Sequence, residues 1–365
     1  LFYHSVVSDW NHGNAHFLRG ICAELISRGH TVRTLEPVDG WSRTNLVAAH
    51  GRAAIDDIRD AFGWMLPEVY DPRDTDVADL TRGADLVLVH EWNDPELVAA
   101  LGRHRAAGGY RLLFHDTHHR AVTEPETMAR YDLSRYDGVL AFGQVIRDLY
   151  LERGWAERAW IWHEAADVRT FHPLPGTPRR GDLVWVGNWG DGERAAELHE
   201  FLLEPVRRLG LRALVHGVRY PADALGALRE AGITYAGWRP SHRVNATYNA
   251  FGVTVHVPRR PYVQALPGIP TIRVFEALAA GIPLVCAPWD DAEQLFSPGK
   301  DFLCARDGAQ MTALLDEVVH DPALAADLRA HGQATIAARH TCAHRVEELL
   351  RICRELGLAA RSFAA

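Results

Sequence analysis

Apolar and polar positions along the chain follow two alternating rhythms. Short, nearly continuous apolar runs that end in polar residues recur: Phe2 to Val7, then HTVRTLEP, ADLVLVHEW, YRLLFHDTH and DGVLAFG. Runs of this length read as buried strands. Between them the apolar positions spread onto one helical face, as with Leu18, Ile21, Cys22, Leu25 and Ile26. Pro95 to His104 and Ile146 to Arg153 read as further helices. The alternation predicts a parallel sheet wrapped by helices.

A further strand, AWIWHEAAD, runs into FHPLPGTPRRGD, residues 171–182, whose prolines and glycines suit a linker. The rhythm then restarts with DLVWVGNWG, a helix from Glu193 to Leu209, LRALVHG, a helix near Ala222 to Ala231, ITYAGW, another helix, GVTVHV and IPLVCAP. Two consecutive α/β units of similar size are expected: an N-terminal domain over 1–172, a linker over 173–182 and a C-terminal domain over 183–345. A terminal helix over 346–365 can pack back toward the N-terminal domain. Ligands of such sheets gather at the carboxyl ends of the strands, so the cleft between two such domains is the natural site.

Composition narrows the chemistry. At 365 residues and 47% hydrophobic, the chain can bury two cores. Thirty-nine basic against 47 acidic side chains give a net charge of −8, which argues against nucleic acid as a partner. Lys300 is the only lysine. It stands in an SPGKD turn without the flanks of a Walker phosphate loop or a pyridoxal Schiff base. The five cysteines form no C-x-x-C pair, which fits a reducing cytoplasm. No apolar run approaches the roughly 18 to 20 residues of a membrane span, and no signal peptide is expected.

Three stretches carry candidate chemistry. Gly13 and Asn14 open the first helix. Its free amides and positive dipole end can hold a phosphate. Equally, Asn14 can cap the helix while Gly13 turns the chain. The stretch is not G-x-G-x-x-G, so a nicotinamide dinucleotide is not expected there. In WVGNWGDGE, Gly187 and Asn188 repeat the arrangement, with Gly190 and Gly192 keeping the loop open; a plain tight turn is the other reading. In LPGIPTIRVFEALAAGIPLVCAP, Thr271 can cap a helix to about Ala280, with Val274, Phe275 and Leu278 inward and Gly281 as its stop. Arg273 and Glu276 lie on consecutive turns. They can serve one ligand, guanidinium to phosphate and carboxylate to ribose, or form an ordinary helical ion pair.

The chain holds 20 histidines, three of them, His115, His118 and His119, in FHDTHHRA just past a strand. No second cluster stands at metal spacing, so no metal is expected. His90 and Glu91 end the neighbouring strand. His90 can bond a sugar hydroxyl or an acceptor while neutral, or serve the core. His340 and His344 read as the exposed face of the terminal helix, with Val346, Leu349, Leu350 and Cys353 as its packed stripe.

Taken together these stretches resemble bacterial glycosyltransferases of GT-B architecture, the spore-maturation-protein-like group related to the retaining group-1 enzymes. GNAHFLRGICAELISRGHTVRTLEP resembles their opening turn, helix and RGHEV segment. WHEAADVRTFHP is similar to their crossover, and FEALAAGIPLVCAP to their donor-site helix and following strand. The resemblance covers nearly the whole chain. It implies two Rossmann-like domains with parallel sheets facing a central cleft.

The resemblance also implies a nucleoside-diphosphate sugar donor, UDP foremost with dTDP or GDP as alternatives, and no cofactor. Glu276 would bind ribose, and the turn from Gly268 through Thr271 to Arg273 would face the diphosphate. Gly13 and Asn14 would close on it from the other domain. Gly187, Asn188, Trp238, Arg239 and Phe275 complete the implied donor set. His115 matches the histidine near the transferred sugar, with His118 in reserve. His12, Trp41, Arg43, His90 and Glu91 would face an acceptor of unknown class.

Two departures stand out. Relatives with a paired glutamate motif carry a glutamate eight residues before Glu276, where this chain has Gly268. Relatives also place Arg and Lys where this chain has Asn188 and Trp189, so Arg273, Arg239 or helix dipoles must meet the donor's charge. The expected reaction is sugar transfer without a metal and with retention, driven by stabilising the departing diphosphate. A sugar-nucleotide epimerase, or a noncatalytic nucleotide-sugar-binding protein on the same fold, are the alternatives.

Overall fold

The computed structural model describes residues 1–358. Contacts divide the chain into two units: Leu1–Glu164 with the segment from Cys342 onward, and Ala165–Thr341.

In the first unit the strands β1 (Leu35–Pro37) and β2 (Glu68–Tyr70) pair in parallel, as do β3 (Leu86–His90), β4 (Arg111–Asp116), β5 (Gly138–Ala141) and β6 (Ala159–Ile161) in that order. Phe2 joins the two groups, bridging Leu35 on one side and Val89 on the other. The expected strand from Phe2 to Val7 thus contracts to one bridging residue. The cause is local. The Glu36 carboxylate accepts from the Val6 and Val7 amides and from the Ser5 hydroxyl, so these groups are diverted from any strand ladder. The other runs form strands where expected because Val87 to Val89, Leu112 to Phe114 and Val139 to Ala141 are buried on both faces.

The helix Ala15–Ser27 packs on the terminal helix Cys342–Glu355, and Arg28 reaches the Ala343 carbonyl at 3.1 Å. Trp162, fully buried, donates its indole N–H to the Arg345 carbonyl at 2.7 Å. The remainder of the terminal segment, residues 359–365, lies outside the described residues. His340 departs from its reading. It ends the preceding helix, Pro322–Arg339, and is buried against Phe275 and Phe296, with a ring nitrogen 2.8 Å from the Leu295 carbonyl. Its period matched the exposed face only if the terminal helix began earlier than Cys342.

The second unit holds one six-stranded parallel sheet. Its order is β12 (Leu303–Cys304), β11 (Leu284–Cys286), β10 (Phe251–His256), β7 (Gly181–Val186), β8 (Ala213–His216) and β9 (Thr234–Tyr235). Leu183, Trp185, Val253, Val255 and Val285 belong to its core. The helix expected from Glu193 to Leu209 runs from Ala195 to Leu209 with a π turn over His199–Leu203, just before Pro205 withdraws an amide from the ladder. Residues 173–182 are bound to this unit. Leu174 N–H donates to Asn249 Oδ1 at 2.7 Å and Arg180 N–H to the Ala250 carbonyl at 2.7 Å.

Candidate functional site

In the second unit β7 and β10 are parallel neighbours, so the loops that leave their carboxyl ends run side by side. Arg194, from the first loop, sends Nη2 to both the Asn188 carbonyl and Asn188 Oδ1 at 2.8 Å, and Nη1 to the Val257 carbonyl at 3.0 Å. Arg259, from the second, reaches Asn188 Oδ1 at 3.2 Å and Glu193 at 2.6 Å. Gly190 makes room for this. At φ 96° it lies where only glycine is unstrained, and a Cβ there would meet Arg194 Cγ at 2.6 Å. The Arg194 Nε is buried and has no hydrogen-bond partner among the described residues.

Burial first, then the charges of Arg259 and Arg273, lower the Arg194 pKa to about 9. A guanidinium still charged near neutral pH but crowded by two others is relieved by an anion. Sequence reasoning missed Arg194 and Arg259. Their signal was the arginine in GDGER and the pair in VPRRP, 65 residues apart and joined only by the β7–β10 pairing.

Of the residues expected at the donor, Glu276 is fully buried on the helix Ile272–Ala280 and takes an ion pair from Arg273, so the helical pairing of the two is formed. Tyr248 lies beside them; burial and the Glu276 charge raise its pKa. Phe275 is buried and packs on Phe296 at 5.4 Å. Thr271 stands at the helix start but does not cap it. Its hydroxyl instead meets His256 Nε2 at 3.0 Å, and burial and Arg194 lower the pKa of His256 to about 3, leaving it neutral. Gly268 is left-handed at φ 86°, its N–H donating to the Asp290 carbonyl at 2.8 Å; a Cβ would strike Glu293. Trp289 fastens the same loop through its bond to the Ile269 carbonyl at 3.2 Å.

Gly187 is pinned by its N–H to the His216 carbonyl and by the Tyr220 hydroxyl on its own carbonyl, both at 2.9 Å. Arg239, next to the half-buried Trp238, feels Arg243 and Arg180 as its charged neighbours, which with burial lower its pKa.

In the first unit the sequence-chosen residues converge at the carboxyl ends of β3 and β4. His90 and Glu91 are fully buried and touch at 3.0 Å; Thr117 bonds both, at 3.0 Å to His90 and 3.2 Å to Glu91. Burial lowers the His90 pKa to about 3 and raises that of Glu91 to about 7, so the contact is not one of two full charges, and Glu91 Oε2 has no hydrogen-bond partner among the described residues. Asp116, raised to about 7 by burial and then by Glu91, accepts from the His118 amide at 3.0 Å and the Tyr150 hydroxyl at 2.9 Å.

His115 is fully buried among Trp162, Phe17 and His90. His118 is half-buried, with its ring 5.1 Å from that of Trp92. His12 is buried beside His4 and His90. Trp41 is 46% exposed and stacks on Trp10 at 5.2 Å. Arg43 leans toward the buried Glu36 at 4.0 Å. Gly13 and Asn14 precede the helix Ala15–Ser27, and Asn14 makes no side-chain cap. Among the described residues no group of three or more His, Cys, Asp or Glu could hold a metal ion.

Residues 194–351 match the glycosyl transferase-like family. The whole chain is similar in structure to sucrose-phosphate synthase from Thermosynechococcus elongatus, with 15% identity, 95% of this chain and 94% of that one covered, and a TM-score of 0.64. It is also similar to Anabaena HepE in complex with UDP-glucose, at 15% identity, 92% and 95% coverage and a TM-score of 0.61. An α-glucosyltransferase in complex with UDP and DNA aligns at 12% identity, 94% and 96% coverage and a TM-score of 0.67. No curated protein matches the sequence. The fold is GT-B, as the sequence resemblance implies, and the glycosyl transferase-like match falls on the second unit and the start of the terminal helix.

Proposed function

We propose that the chain transfers a sugar from a UDP-sugar to an acceptor, holding the donor's diphosphate at the carboxyl ends of β7 and β10. One observation carries this reading: Arg194 and Arg259 converge on Asn188, with Arg273 close enough for its charge to act on Arg194. Relatives of the resembled group meet the phosphate charge with Arg and Lys at the positions of Asn188 and Trp189. Here two arginines from neighbouring loops bring the charge to the same turn. Support for UDP comes from HepE, whose structure holds UDP-glucose.

Breaking the anomeric bond puts negative charge on the leaving diphosphate. Guanidinia fixed beforehand by Asn188, Glu193 and the Val257 carbonyl stabilise that charge without rearranging. This route needs no metal, and departure and attack on one face of the sugar would retain its configuration. Glu276, gripped by Arg273, would orient ribose hydroxyls. Between the two sequence-chosen histidines, His118 is the one with an accessible ring, and it would stand near the transferred sugar, its loop held by Asp116.

Titration calorimetry with UDP and UDP-glucose tests the reading. Binding is expected for the parent and strongly weakened binding for Arg194→Met and Arg259→Met. Equal affinity in all three proteins would refute it.

A further inference from the structure

The sheet order of the first unit sets four chain segments side by side, and each releases aromatic rings at its carboxyl end. Trp41 follows β1; His4, Trp10 and His12 follow Phe2; Trp92 follows β3; His118 follows β4. The rings form one row. Trp41 lies 5.2 Å from Trp10, and the neighbouring Ser42 links the two segments, its hydroxyl to the Trp10 carbonyl at 2.8 Å and its N–H to His4 Nε2 at 3.4 Å. His4 then lies 5.4 Å from His12 and 6.3 Å from Trp92, and Trp92 lies 5.1 Å from His118. Trp41 and Trp92 are 46% and 40% exposed.

Three arginines beside this row each have an acidic or aromatic neighbour. Arg19 pairs with Asp9 at 3.1 Å, Arg43 faces Glu36, and Arg120 lies on the Trp92 ring at 3.9 Å with Nη2 on the Glu91 carbonyl. His4 and His12 are held neutral by burial. An anionic acceptor would have to compete with Asp9 and Glu36 for these guanidinia. An acyl chain would leave the imidazoles unsatisfied. Indoles alternating with neutral imidazoles match a molecule with apolar C–H faces rimmed by hydroxyls.

We infer that this row binds the acceptor and that the acceptor is a neutral saccharide, its pyranose faces laid on Trp41 and Trp92 and its hydroxyls bonded to His4 and His118. The inference rests on the reading of the chain as a UDP-sugar transferase.

Saturation-transfer NMR on the full chain with UDP present tests it. The probes are maltose, cellobiose, methyl α-D-glucopyranoside, glycerol 3-phosphate and hexanoate. Transfer is expected to at least one of the three sugars, concentrated on its ring C–H protons. Binding should weaken about tenfold or more in Trp41→Ala and Trp92→Ala, recover partly in Trp92→Phe, and stay unchanged in Trp64→Ala, which removes an exposed indole outside the row.

A UDP-induced melting shift, measured in every variant, reports both folding and the donor site. If UDP stabilises the protein while no sugar receives transfer, or while glycerol 3-phosphate or hexanoate does instead, the saccharide inference fails and the donor reading stands. If UDP itself does nothing, the donor reading fails first. Sugar binding unaffected by both tryptophan variants would also overturn the inference.

Discussion

The two units present the same kind of sheet edge with opposite equipment. Where the second unit brings Arg194 and Arg259 onto one asparagine, with the charge of Arg273 also felt by Arg194, the first gathers neutral imidazoles, indoles and carboxyl groups whose pKa values are raised. One edge crowds guanidinia together, and the other sets each arginine beside an acidic or aromatic neighbour. The parallel fold supplies the location in both cases, and the residues that follow each strand decide the ligand.

The strongest way to break this contrast is to neutralise the charged edge. Arg194→Met should lower UDP affinity about a hundredfold, on the order of 3 kcal/mol by calorimetry, and leave ligand binding in the first unit intact. Loss of both together would mean that the two edges are not separate in chemistry. The first unit has its own test in two histidines. His115→Ala, opening a space beside Trp162, should cost about 2 kcal/mol in denaturant unfolding, whereas His118→Ala should cost less than about 0.5 kcal/mol and reduce turnover instead. The reverse ranking would return the catalytic assignment to His115. Glu276→Ala should weaken UDP-sugar binding about tenfold, because it would remove the proposed ribose partner and leave Arg273 without its carboxylate.

The smallest effect concerns pH. The folded pKa of Glu91, about 7, exceeds its ordinary value, so its contribution to stability is full in acid and is lost as pH rises toward 7. His4 and His90, at about 4 and 3, contribute above their ordinary 6.5 and lose that contribution as pH falls. The two trends oppose each other between pH 4.5 and 6.5. Glu91→Gln removes one side, so melting of the variant should fall more steeply than that of the parent on acidification from pH 7 to 5, by on the order of 1 kcal/mol. Parallel pH profiles would show that Glu91 is ionised in the folded protein.

Much of this contrast was legible along the chain, for identifiable reasons. Buried parallel strands write themselves as apolar runs, so β3, β4, β7 and β10 fell where expected. The helix from Ile272 to Ala280 followed from its apolar face and Gly281. What failed were features decided by distant partners. Phe2 to Val7 has a strand's composition, but Glu36, some thirty residues away, captures its amides. Thr271 sits at a cap position, but His256 takes its hydroxyl. Arg194 and Arg259 belong to unremarkable loops until the sheet order makes them neighbours.

The Glu36 carboxylate that ends the first strand early has one more consequence. A turn of unbonded amides would ordinarily welcome a phosphate, yet at Val6 and Val7 that berth already has a permanent tenant of the same sign. An anion arriving at residues 6 and 7 would have to displace that carboxylate first.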